Sequence, residues 1–179
     1  EQALANAPDD ANIWAGVAQT YAILGWWGYA PPNKAFTKAK AAAERALSLD
    51  ATLSEAQLAL GMVRFLFDWD WPGAEQAFQR AIELAPNDGN SYGDFAWALS
   101  HFGLFNEADE VLKRGEQVDP QAHNLLCAWC WRYYLGRDFG EAIQAANQLM
   151  TVHSNIVMGP WFLSLAHEQR RDFTNALAW

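Results

Sequence analysis

Four segments of this chain close in the same way, and their spacing restricts the possible folds more than any other feature. They read Ala3-Leu4-Ala5-Asn6-Ala7-Pro8, Ala46-Leu47-Ser48-Leu49-Asp50-Ala51, Ala81-Ile82-Glu83-Leu84-Ala85-Pro86 and Gly115-Glu116-Gln117-Val118-Asp119-Pro120. Each reads as a helix end followed by a breaker, or by a residue in the breaker's place. The closing residues are 43, 35 and 34 apart, and a further step of 34 reaches Ser154 in Val152-His153-Ser154. A period of this length accommodates two short helices and their turns. One helix pair cannot bury its apolar face alone, so neighbouring pairs must stack. The expected fold class is therefore all-α, built from antiparallel helix pairs.

Within each period, large apolar residues alternate with Gly, Ala, Ser or Cys, the arrangement two helices need for close approach. The pattern predicts helices near 11–25, 34–50, 52–67, 72–85, 88–103, 106–119, 121–136, 139–152, 155–170 and 173 onward. Asp10, Asp88, Asn106 and Asn155 stand where N-caps would help, and Pro72 suits a first helical turn. The first period is nine residues longer than the fourth, and the excess falls in Gly25-Trp26-Trp27-Gly28-Tyr29-Ala30-Pro31-Pro32-Asn33, between paired helices. Water is a poor environment for three aromatics, so Trp26, Trp27 and Tyr29 are expected to dock, against the Asp68-Trp69-Asp70-Trp71 turn or as a lid. That turn carries the one extra residue of the second period.

The chain resembles the tetratricopeptide-repeat (TPR) family, whose motif runs W-x2-L-G-x2-Y, then A-x3-F, an Ala and a closing Pro. Trp14-x2-Val17-Ala18-x2-Tyr21 matches the first half, and Ala74-x3-Phe78-x2-Ala81 with Pro86 matches the second. Leu60-Gly61, Phe95-Ala96, Trp129-Cys130 and Leu163-Ser164 occupy the small-residue step of successive units, although Gln57 and Arg64 depart from the aromatic positions. The resemblance implies a right-handed superhelical solenoid. It also implies a single array over residues 1–179: the end of a preceding repeat at 1–8, repeats at about 11–51, 54–86, 89–120 and 123–154, and a partial repeat at 157–179. The aromatic Gly-Pro-Pro insertion and the Asp-Trp-Asp-Trp turn resemble TPR arrays attached to bacterial signalling proteins, including winged-helix regulators, Ser/Thr kinases and nucleotide cyclases.

Net charge is −9, and the excess lies entirely within residues 1–120, which hold 17 acidic against 8 basic side chains. That surface repels phosphate backbones and shows no basic stripe, so nucleic acid is not an expected partner. Residues 11–33 carry no charge, yet Gly25, Gly28, Pro31 and Pro32 interrupt them, so no membrane span is expected. Two cysteines three residues apart make no disulfide framework and point to a reducing, cytoplasmic setting. His123, Cys127 and Cys130 follow a helical i, i+4, i+7 spacing that could present soft-metal ligands, but no fourth ligand accompanies them. No metal, cofactor or catalytic constellation is expected, since nucleophile elbow, Walker and dinucleotide-loop motifs are missing from the sequence.

In the TPR family the concave wall is lined mostly by first helices. Carried over residue by residue, that wall is Asn12, Ala15, Gln19 and Ala22; Glu55, Leu58, Met62 and Phe65; Asn90, Gly93, Trp97 and Ser100; Asn124, Cys127, Trp131 and Tyr134; then Met158, Trp161, Leu165 and Glu168. The set holds no Lys or Arg, so it lacks a basic clamp for a C-terminal carboxylate. Its aromatic, apolar and Asn-rich character implies a protein or peptide partner with apolar anchors, fixed through its amides. The expected function is a non-catalytic, partner-binding scaffold in a regulatory segment of a larger protein. Small-molecule sensing and structural self-association are the alternatives. A fragment cut at both ends would leave Leu4, Leu177 and Trp179 near apolar faces and favour end-to-end association.

Overall fold

The computed structural model describes residues 7–178 and divides into two compact units, residues 1–86 and 87–179. The expected fragment ends at Leu4 and Trp179, and most of the preceding repeat at 1–8, lie outside the described residues.

The first unit contains α1 (Ala11–Trp26), α2 (Pro32–Leu49), α3 (Ser54–Val63) and α4 (Trp71–Leu84). Helix α1 packs on α2 and α3 on α4, while α3 also lies against both α1 and α2. Alanine makes these contacts possible. Ala18 of α1, Ala42 and Ala43 of α2 and Ala59 of α3 share one buried cluster, and Ala15, Ala46 and Ala56 share another. Such small side chains let helix axes come close without leaving voids. Helix α1 starts where Asp10 accepts hydrogen bonds from the Asn12 and Ile13 backbone N–H groups, and Asp70 caps α4 by accepting from Gly73 N–H at 3.0 Å.

The second unit contains α5 (Gly89–His101), α6 (Phe105–Val118), α7 (His123–Leu135), α8 (Phe139–Val152), α9 (Met158–Gln169) and the short α10 (Phe173–Ala176). Consecutive helices pair, α7 packs on both α5 and α6, and α9 packs on α8 and α7. The α5–α7 approach is closest at Gly93, where an added methyl would overlap the backbone of Asn124 and Leu125. Asp88 caps α5 through Asn90 and Ser91, as expected. The expected caps at Asn106 and Asn155 do not form: Asn106 lies inside α6, which starts one residue earlier, and Asn155 precedes α9 by three residues.

The turn inside each helix pair repeats with the sequence period. Trp69, Gly103, Arg137 and Arg171 all adopt positive φ and stand 34 residues apart, and three of them are not glycine. The matching helix-ending bonds run from Leu104 N–H to Leu99 O, Asp138 N–H to Tyr133 O and Asp172 N–H to His167 O. In the first unit the equivalent bond, from Asp70 N–H, reaches one residue further back to Arg64 O, and a π-helical turn spans Arg64–Asp68. The extra residue of the second repeat is absorbed there, by widening one helical turn. Trp69 gains little for its strained backbone, since it is 84% exposed. Trp69→Gly should therefore stabilise the chain by up to about 1 kcal/mol, read as a higher Tm; a lower Tm would show that the indole holds the turn.

Most of the nine extra residues go into helix. Helices α1 and α2 have 16 and 18 residues against 13 and 14 in α5 and α6, so most of the insertion lengthens the first pair and leaves the short turn 27–31. Only part of the expected docking occurs. Trp26 packs beside Ala22, Phe36 and Val63, whereas Trp27 is 46% and Tyr29 79% exposed, because helix extension carries the turn away from the core.

Candidate functional site

Ten amide-bearing or large members of the expected wall separate by unit, with Asn12, Gln19, Met62 and Phe65 in the first and Asn90, Trp97, Asn124, Trp131, Tyr134 and Trp161 in the second. In the first, Asn12 is exposed on α1, Gln19 is half-buried two turns further along the same face, and Met62 and Phe65 are half-buried near the end of α3 and in its π turn. Phe65 meets Trp71 edge-on at 6.1 Å between ring centroids.

The second unit assembles its residues into a continuous aromatic strip across α5, α7 and α9. Residues three and four apart share a helix face, so Asn90, Asp94, Trp97 and His101 form one line on α5, and Asn124, Cys127, Trp131 and Tyr134 run along α7. His101 lies between two indoles, with ring centroids 4.6 Å from Trp97 and 5.1 Å from Trp131. Trp131 then meets Trp161 at 5.5 Å, Phe162 at 5.3 Å and Tyr134 at 6.3 Å, all edge-on. Edge-to-face geometry of this kind holds each ring in place by its quadrupole. Exposure rises along the strip: Trp97 is buried at 8%, Trp131 half-buried and Trp161 open at 38%. Five further wall positions from the sequence register are buried instead, Ala15, Ala22 and Leu58 in the first unit and Gly93 and Ser100 in the second. Gly93 is sealed against α7, and Ser100 is buried with its hydroxyl donating to Ala96 O.

The asparagines have a different task from the one their position implied. Asn124 backbone N–H donates to Asn90 Oδ1 at 3.0 Å, and Asn124 Nδ2 donates to Asp94 Oδ1 at 2.9 Å. Asn90 Nδ2 in turn donates to Asp88. Helix α7 begins after Ala122, which makes no side-chain cap, so Asn90 caps it from one repeat away. Much of the amide capacity is thus already used in fastening α7 to α5.

Two members of the strip, His101 and Asp94, were missed because the family register skips their positions; the i, i+3, i+4 spacing around Trp97 and Asn90 was the available signal. Burial pushes the Asp94 carboxyl up to about 7, opposed by its bond from Asn124 and reinforced by the charge of Asp88. Burial lowers the pKa of His101, while its contact with the Trp97 carbonyl, at 2.8 Å from Nδ1, acts the other way. The Cys127 thiol is pushed up to about 12 by burial and by Asp94, which makes it a poor nucleophile. Cys130 is fully buried among Leu126, Leu149 and Phe162 and bonds Leu126 O, so the helical His-Cys-Cys spacing does not gather three ligands. His123 contacts Cys127 at 3.7 Å and meets His153 ring to ring at 5.4 Å; burial, then His153, lowers its pKa. Among the described residues, no helix is long and apolar enough to cross a membrane.

Comparison with known proteins bears on the fold and on the larger context. Residues 77–110 match the family model of the tetratricopeptide repeat. Over 181 aligned residues the chain is 24% identical to the transcriptional regulator HilA of Salmonella typhimurium, covering 96% of this chain and 32% of that protein. It thus spans about a third of the length of the curated relatives it matches. Among solved structures, TTC0263, a thermophilic TPR protein of Thermus thermophilus, superimposes with a TM-score of 0.67 at 20% identity, covering 90% of this chain and 87% of that one. A chain of the APC/C hetero-tetramer Cut9-Hcn1 gives 0.75 at 15% identity, covering 98% of this chain and 33% of that one.

Proposed function

We infer that this chain, which carries tetratricopeptide repeats, is a non-catalytic scaffold for protein or peptide partners, and that the aromatic strip of its second unit is the binding groove. TPR modules of this fold generally serve interaction rather than catalysis. The observation that carries the site is the indole strip Trp97–Trp131–Trp161, rigid at its buried end and open at Trp161. Large aromatics held in fixed orientations lose little entropy on binding and make the strongest interface anchors. The partner is therefore a segment with large apolar side chains that lie on Trp131 and Trp161. The likeness to HilA over a third of its length supports placing the scaffold in the regulatory or partner-recruiting part of a longer bacterial protein.

A random dodecapeptide display library selected on the purified chain tests this reading. Retained peptides should bind Trp161→Ala more weakly by about 1–3 kcal/mol while its circular dichroism and Tm stay close to the parent's. Trp161 is open enough for its removal to leave folding largely intact. Peptides that bind the variant as tightly, or a selection that retains none, would overturn the groove. The remaining readings would then be small-molecule sensing or end-to-end self-association through exposed residues such as Phe173 and Leu177, the latter read by sedimentation.

A further inference from the structure

Asp94 is unusual for its place. It stands one helical turn before Trp97 on α5, and its Oδ1 accepts the Asn124 amide of α7. That donor is neutral. The charged group acting on Asp94 is Asp88, of the same sign, and the Asp94 charge in turn acts on the Cys127 thiol of α7. The strip's imidazole does not fill the role, since burial lowers the pKa of His101 and its ring lies between Trp97 and Trp131. A carboxylate held beside aromatic walls with no cation is costly, and packing alone would be served better by Asn or Leu.

Building on the groove described above, we propose that it selects a protein segment in which a lysine or arginine lies beside the large apolar anchor, the anchor resting on Trp131 and Trp161 and the cation pairing with Asp94. A guanidinium or ammonium restores charge balance to the carboxylate and gains from the faces of nearby indoles. The wall presents no Lys or Arg of its own to compete for the position. The same charge disfavours acidic or phosphorylated segments and free C-terminal carboxylates.

The dodecapeptide library separates this inference from the groove reading on which it rests. Selection on the parent chain should enrich Lys or Arg next to a large apolar residue. Selection on Asp94→Asn, whose side chain still accepts from Asn124, should keep the apolar residue and lose the basic one. An enriched basic peptide should bind Asp94→Asn about ten-fold more weakly, whereas its Lys→Gln or Arg→Gln version should bind both chains alike. Trp161-dependent peptides without a basic preference, or a preference that survives in Asp94→Asn, would overturn the pairing and leave the groove standing; no Trp161-dependent peptide would overturn both.

Thermal stability gives an independent readout. With its folded pKa raised to about 7, Asp94 costs stability as pH rises from its unfolded value near 4 through 7. Asp94→Asn should therefore raise Tm at pH 8, and the gain should vanish by pH 4. A variant less stable than the parent at pH 8 would mark Asp94 as a structural residue and count against the proposal.

Discussion

Trp97→Ala should lower the stability of the second unit by about 3–5 kcal/mol, measured by urea denaturation. The indole is 8% exposed and packs at a tilt against His101, which in turn packs against Trp131. Its removal leaves a cavity that α5 cannot close, because Gly93 already presses its backbone against α7. The contrast with Trp161→Ala is the informative part. Two tryptophans of one strip should divide between folding and binding according to their exposure, with Trp97 supporting the strip and Trp161 meeting the partner. Equal stability losses for the two variants would mean that the strip is all core, and the binding groove would have to be sought elsewhere.

The sequence revealed the helix pairs because their signal is repeated. Closing residues near 51, 86 and 120 placed most helix boundaries within two or three residues of those observed, and small residues such as Ala18, Gly61 and Cys130 marked the close approaches. The turns were less legible. An αL residue every 34 positions is invisible where it is Trp69, Arg137 or Arg171, since propensity leads one to seek glycine there. A one-residue insertion could be counted but not assigned to a π turn, because the widened bond at Arg64 depends on how α3 meets α4. The asparagines show the same limit at the site. Asn90 and Asn124 were placed on the correct helices, yet whether an amide faces a ligand or a neighbouring helix end depends on the helix separation, which Gly93 sets.

A second large loss is expected at Arg132, which ties the α7 helix to its surroundings at three points. Its Nε donates to Asp109 Oδ1 at 2.5 Å and a terminal nitrogen to Asp109 Oδ2 at 2.8 Å, a two-pronged pair with α6. The other terminal nitrogen donates at 2.6 Å to Asp138, next to the strained Arg137 that turns the chain into α8. Phe105 and Tyr133 flank the guanidinium at 5.8 and 5.0 Å from their ring centres. With only 14% of the side chain exposed, solvent screens these bonds far less than it would a surface pair. Arg132→Ala should cost about 2–4 kcal/mol, because it removes the packing and leaves Asp109 facing a low-dielectric gap. Arg132→Lys keeps the charge but not the planar fork, so it should recover less than half of that loss. Adding Asp109→Leu to Arg132→Met should cost less than the sum of the single changes, since no orphaned charge remains. Additive losses, measured by urea denaturation of the four chains, would show that Arg132 and Asp109 are not coupled and that their pair does not fasten α7 to α6.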